Sequence, residues 1–129
     1  MSAWLLKTEP SAYSFEMLVK EKRTAWTGVK NPAAVRNILA MKPGDSLVIY
    51  HTGDEKAAVG LATAVSPPRP DPKDSKSAVV EIEAGQALKE PITLATIKSR
   101  KEFATSPLVK MGRLSVVELT EEQYRFLTR

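Results

Sequence analysis

The 129-residue sequence has no cysteine and only one histidine, His51. Disulfides and thiol nucleophiles are therefore excluded, and structural zinc of the usual kind lacks its thiolates, with too few imidazoles to replace them. Glycine is sparse as well. Gly28, Gly44, Gly53, Gly60, Gly85 and Gly112 are all at least seven residues apart, so neither G-x-G-x-x-G nor G-x-x-x-x-G-K can occur, and no G-x-S-x-G is present. Nucleotide-cofactor chemistry of those kinds is out, and no cofactor is expected. No apolar run approaches the roughly 20 residues of a membrane span. Met1-Ser2-Ala3-Trp4-Leu5-Leu6-Lys7 reaches a charge too early for a signal segment. The expectation is a cytosolic or nuclear protein, cytoplasmic in the simplest case, with no membrane partner and no structural metal.

What is present is a 43% hydrophobic composition, which reads as one globular domain over residues 1–129. A chain of this size buries about two-thirds of its unfolded surface without staples. The net charge is +4, and its distribution says more than its size. Lys20, Lys22, Arg23, Lys30 and Arg36 stand against Glu21 alone, and Lys98, Arg100, Lys101, Lys110 and Arg113 against Glu102 alone. Between the two basic stretches, residues 70–90 carry Asp71, Asp74, Glu81, Glu83 and Glu90 against Lys73, Lys76 and Lys89. Segregation of this kind suits a phosphate-facing surface, although solvated helix faces would also produce it.

Along the chain, Ala3-Trp4-Leu5-Leu6 reads as an apolar strand ended by Pro10, with Trp4 in the core. Ser14 caps a helix that turns Phe15, Leu18 and Val19 to one face, and a loop containing Trp26 and Gly28 follows. Asn31-Pro32 opens a second helix with Val35, Ile38 and Leu39 inward. Ser46–His51 and 57–65 read as antiparallel strands, the proline-rich stretch 67–72 as a stiff outer connection, and 78–84 and 114–119 as further strands. Thr93 caps a short helix, and Thr120-Glu121-Glu122-Gln123 is a capping box for a last helix with Tyr124 and Leu127 inward. The fold class is α+β, a small mixed β-barrel of five or six strands decorated with short helices.

Four short clusters sit where strands or turns end: Lys7-Thr8-Glu9-Pro10, Trp26-Thr27-Gly28-Val29-Lys30-Asn31-Pro32, Tyr50-His51-Thr52-Gly53 and Gly112-Arg113-Leu114-Ser115. An aromatic face, several donors and excess positive charge suit a splayed-out nucleobase. Together with Val59-Gly60 and Leu108-Val109-Lys110-Met111, in this order and spacing, the clusters resemble the EVE domain family, a PUA-like fold, over essentially the whole chain. The resemblance implies a non-catalytic reader of modified bases in DNA or RNA. It places Trp26 as a wall of the base pocket, with Asn31, Tyr50, His51, Thr52, Lys7, Thr8, Glu9 and Ser115 around it. Lys30, Arg36, Lys110 and Arg113 would hold phosphates, and the domain would act as a monomer. Thr27 and Lys30 depart from the family pattern, in which an acidic residue and an arginine are common at these places.

Each residue also has a plainer reading. Trp26 could be a core anchor, Asn31 a helix cap, His51 a hydrogen-bonded structural residue, and Arg113 an exposed charge. Two other classes of function stay open. One is a small hydrolase using His51 as base with Asp54 or Glu55 orienting it. The other is a protein-interaction module, favoured if Trp26 is buried and the basic stretches diverge.

Overall fold

In the computed structural model, which describes residues 2–128, one sheet organises the chain. Strand β1 (Ala3–Thr8) enters the middle of it and is followed by helix α1 (Phe15–Glu21). Then come β2 (Arg23–Trp26) and helix α2 (Pro32–Ala40). Strands β3 (Ser46–His51), β4 (Ala57–Ala64), β5 (Arg69–Asp71) and the long β6 (Asp74–Thr93) follow consecutively. Helix α3 (Leu94–Lys98), a 3-10 turn (Lys101–Phe103), α4 (Pro107–Lys110), β7 (Val116–Leu119) and α5 (Glu121–Thr128) complete the chain. The strand order is β2-β6-β4-β3-β1-β7, with β5 pairing to β6. The α+β class is as expected. The expected closed barrel of five or six strands is instead an open seven-stranded sheet, because β2 and β7 end the order without pairing to each other.

The caps account for where the helices begin. Ser14 accepts from Met17 N, and Asn31 Oδ1 accepts from Ala33 N and Ala34 N at the head of a helix whose first residue is proline. Thr120 Oγ1 and Gln123 Oε1 accept reciprocally from each other's backbone N–H, as the capping box requires. The core lies between these helices and the sheet. Strand β3 is buried from Leu47 to His51, which suits a central strand covered on both sides. Trp4 is core, its indole N–H donating to the buried Asp45 carboxylate at 3.0 Å.

Several expected elements are redrawn. The segment around Trp26 is partly strand rather than loop: β2 pairs antiparallel with β6, Trp26 opposite Val80. The proline-rich connection contains β5, whose Pro70 lies opposite Ala78. Val19 and Leu39 continue the apolar spacing of their helices but are exposed, since the buried faces centre on Phe15 and Leu18 and on Ala34, Val35 and Ile38 and leave positions 19 and 39 at their margins. Parallel pairing of β1 with β3 sets Lys7 beside Tyr50 and Thr8 beside His51, so two of the four clusters are neighbours. Gly60 on β4 has a packing role: a Cβ there would lie 2.3 Å from the Phe15 ring, which occupies that space. No helix among the described residues is long and apolar enough to cross a membrane.

Candidate functional site

Beside the indole of Trp26 lies a cavity of about 220 Å³ lined by Thr8, Tyr13, Thr24, Ala25, Trp26 and Thr27. Trp26 is 8% exposed, so its ring is seated in the core and also borders this hollow. The Tyr13 ring meets it edge-on, with centroids 6.0 Å apart and planes at 83°. That geometry is a favourable aromatic pair and leaves the two rings as perpendicular walls. Among the described residues no charged side chain lines the cavity; its polar side chains are three threonines and Tyr13.

Tyr13 was not among the sequence candidates. It sits in a turn with no periodic signal, fixed by Tyr13 N donating to Glu9 O at 2.9 Å and by Thr8 Oγ1 donating to Tyr13 O at 2.7 Å. Its hydroxyl donates to Glu21 Oε1. Burial raises the Tyr13 phenol to about 12, with the adjacent Glu21 carboxylate adding to the rise through the hydrogen bond and its charge. The phenol is therefore a neutral wall at ordinary pH. An aromatic just after Thr8-Glu9-Pro10 was the one sequence cue that could have found it.

The first-strand cluster is brought into the site in part. Thr8 lines the cavity, whereas Glu9 turns outward, accepting from Ser11 and from Thr52 Oγ1 at 3.4 Å. Thr52 N in turn donates to Thr8 O at 2.9 Å. Gly53 completes this corner at φ +76°, where a Cβ would stand 2.7 Å from Glu9 Oε2. Lys7 Nζ donates to Gly112 O at 3.1 Å, and its backbone N–H donates to Ser115 O at 2.9 Å. Burial lowers the Lys7 pKa. Through Lys7 the fourth cluster is tied to the strand that supplies Thr8.

Other expected pocket residues have different work. Tyr50 is 3% exposed, with Lys7 Nζ 5.9 Å from its ring centroid, and burial raises its phenol pKa. His51 is buried: Nε2 accepts from Phe15 N at 3.0 Å and Nδ1 lies 2.7 Å from Glu55 Oε1. Because a backbone N–H can only donate, Nε2 is the unprotonated nitrogen and Nδ1 carries the hydrogen given to Glu55. The nitrogen a hydrolase would use as base is thus occupied by helix α1. Asn31 commits its side-chain oxygen to the helix cap. Ser115 is half-buried and its described contact is through its carbonyl.

The expected phosphate ligands are all exposed: Lys30 on the loop after Trp26, Arg36 on α2, Lys110 at the end of α4, and Arg113 in the turn tethered to Lys7. Lys30 Nζ is 3.9 Å from Asp74 Oδ2, with its side chain 81% exposed, an arrangement worth little and readily given up. Among the described residues no group of three or more His, Asp or Glu side chains is placed to hold a metal ion.

The comparisons with known proteins agree with one another. A family model described as EVE domain matches residues 2–129. Mouse thymocyte nuclear protein 1 is 31% identical over 160 residues, covering 96% of this chain and 71% of that protein. The crystal structure of Atu2648 from Agrobacterium tumefaciens superposes with a TM-score of 0.94 at 34% identity, covering 100% of this chain and 92% of that one. The human THYN1 protein, solved in complex with 5-methylcytosine containing DNA, superposes with a TM-score of 0.90 at 26% identity, covering 99% of this chain and 96% of that one.

Proposed function

This chain belongs to the EVE domain family, and from that premise we propose that it is a non-catalytic DNA-binding reader that admits one extruded, modified base to the cavity beside Trp26. The observation that carries the reading is that cavity, walled by two perpendicular aromatic rings, in a chain whose Lys30, Arg36, Lys110 and Arg113 are all exposed. At about 220 Å³ it is smaller than the roughly 300–1,000 Å³ of drug-sized pockets, which suits one planar heterocycle rather than a longer fragment. The human THYN1 complex with 5-methylcytosine containing DNA supports DNA as the polymer and a modified cytosine as the base.

With the rings at 83°, a base lying flat on one meets the edge of the other, so one ring stacks and its neighbour limits depth. Stacking contributes about 1–3 kcal/mol and offsets the few kcal/mol needed to extrude a base. Lys30, Arg36, Lys110 and Arg113 hold the flanking phosphates, a contribution that is independent of sequence and falls with salt. A base-modifying enzyme is disfavoured because His51 has both ring nitrogens engaged.

The test is titration of short single-stranded oligonucleotides, DNA and RNA, carrying 5-methylcytosine, cytosine or an abasic site at one position, each at two salt concentrations. The expected result is tighter binding of the modified base in DNA, with the same salt slope for all three DNA strands. Equal affinity for the modified and abasic strands would refute it.

A further inference from the structure

Strand β2 ends the sheet on one side, so one of its two main-chain edges faces away from every other strand. Its register with β6 is uninterrupted, Arg23 opposite Glu83 through Trp26 opposite Val80. Ala84 N donates to Lys22 O at 2.8 Å, which makes that pair a hydrogen-bonded one. Hydrogen-bonded and open pairs alternate along an antiparallel ladder. Thr24 and Trp26 therefore direct their N–H and C=O toward β6, and Ala25 directs both of its groups outward.

The outward groups point at the ligand cavity. Side chains at 24 and 26 project to one face of the strand and that at 25 to the other, with Thr27 just beyond the strand end. All four residues nevertheless line the same hollow. Consecutive strand residues share only their common edge, so the cavity runs along that edge. Ala25 contributes just a methyl group to screen its main chain, and no hydrogen bond to its N–H or C=O is formed among the described residues.

Building on the base-pocket reading above, we infer that the N–H and C=O of Ala25 read the polar edge of the inserted base. One strand residue offers a donor and an acceptor side by side in the plane of the sheet. Its complement is a heterocycle presenting an acceptor beside a donor, such as N3 and the 4-amino group of cytosine. A methyl on carbon 5 of cytosine leaves that edge intact and rests against the cavity wall. Alkylation that removes both amino hydrogens destroys the match and leaves a buried carbonyl unpaired. Asn31 and Glu9, expected among the residues around the base, are engaged elsewhere, so the in-plane donor and acceptor of this site come from its main chain.

The test uses the whole chain with Ala25 replaced by lactate, an amide-to-ester change that removes only the N–H, and in parallel Ala25→Pro, which an edge strand accommodates on its outward side. Unfolding midpoints confirm that either variant is folded at the assay temperature, and one folded variant suffices. The probes are oligonucleotides carrying 5-methylcytosine or N4,N4-dimethylcytosine at one position. The wild-type protein should bind the dimethylated strand about tenfold or more weakly, and the ester should lose about tenfold on 5-methylcytosine while changing the dimethylated strand by less than about twofold. Equal losses on both strands, or no loss on either, overturn the inference. Absence of any wild-type preference for the modified base over an abasic strand would instead refute the base-pocket reading itself.

Discussion

Replacing Trp26 by alanine perturbs two quantities that must be separated. The ring is 8% exposed, stands opposite Val80 in the β2–β6 pair and meets Tyr13 edge-on, so its removal leaves a hole in the core next to an existing cavity. Buried tryptophan-to-alanine changes cost about 3–5 kcal/mol. For a chain of this length that corresponds to a fall in unfolding midpoint on the order of 10–20 °C. The same substitution deletes the stacking surface, worth about 1–3 kcal/mol, or roughly 5- to 150-fold in affinity. Circular dichroism fixes the temperature below which the variant is folded, and Trp4 remains as the sole indole reporter. Oligonucleotide titrations at low temperature then read binding alone. Phenylalanine at the same position keeps an aromatic face and should recover much of both losses. The expected outcome is weaker binding with an unchanged salt slope; a folded Trp26→Ala protein that binds the modified base as tightly as wild type refutes the stacking role.

Four further outcomes follow from contacts described above. His51→Ala should cost about 2–4 kcal/mol by chemical denaturation, because Phe15 N loses its acceptor in a buried setting, while DNA affinity at low temperature stays the same; unchanged stability with loss of a nucleic-acid-cleaving activity would restore the hydrolase reading. Gly53→Ala should cost about 1–3 kcal/mol, chiefly from its φ of +76°, with shortening of Glu9 relieving only the steric part in a double-mutant cycle. Since the Tyr13 phenol is raised from 10.0 to about 12, the folded state keeps that proton longer than the unfolded chain does, and the associated stability, full below pH 10, is lost as pH rises toward 12. Denaturation midpoints of wild type and Tyr13→Phe between those pH values should therefore converge, and parallel curves would contradict the assignment. Lys110→Ala and Arg113→Ala should each lower the salt slope of binding by about one without altering the preference among bases; a changed preference would place either residue at the base instead.

Legibility in the sequence followed the range of the interactions. Helix starts were readable because a cap is a local contact: Ser14, Asn31, Thr93 and the Thr120–Gln123 box each act within three residues. Strand β2 was not, because four residues with no alternation of burial acquire strand geometry only by pairing with β6, more than fifty positions later. Strand β5 was hidden by its prolines, and Pro70 fits there because an edge position needs no N–H. Closure of the sheet depended on whether its terminal strands meet, a long-range property that no segment encodes. At the candidate site, Thr8 and Trp26 from two of the clusters line one cavity, and Tyr50 and His51 lie at the neighbouring strand end. Their exact duties were hidden because burial decides them: the same histidine serves as a solvent-facing ligand or as a brace, according to what packs against it. Tyr13 escaped notice because only tertiary pairing carries its turn to the indole.

The two aromatic walls are secured by unlike means. Trp26 is built into the sheet, while Tyr13 belongs to a short crook of chain pinned by Glu9 and Thr8. Substitutions at a few turn residues can therefore move or exchange the tyrosine wall without disturbing the framework, so that the dimensions of the hollow are adjustable by small steps, whereas the indole wall cannot be altered without altering the sheet.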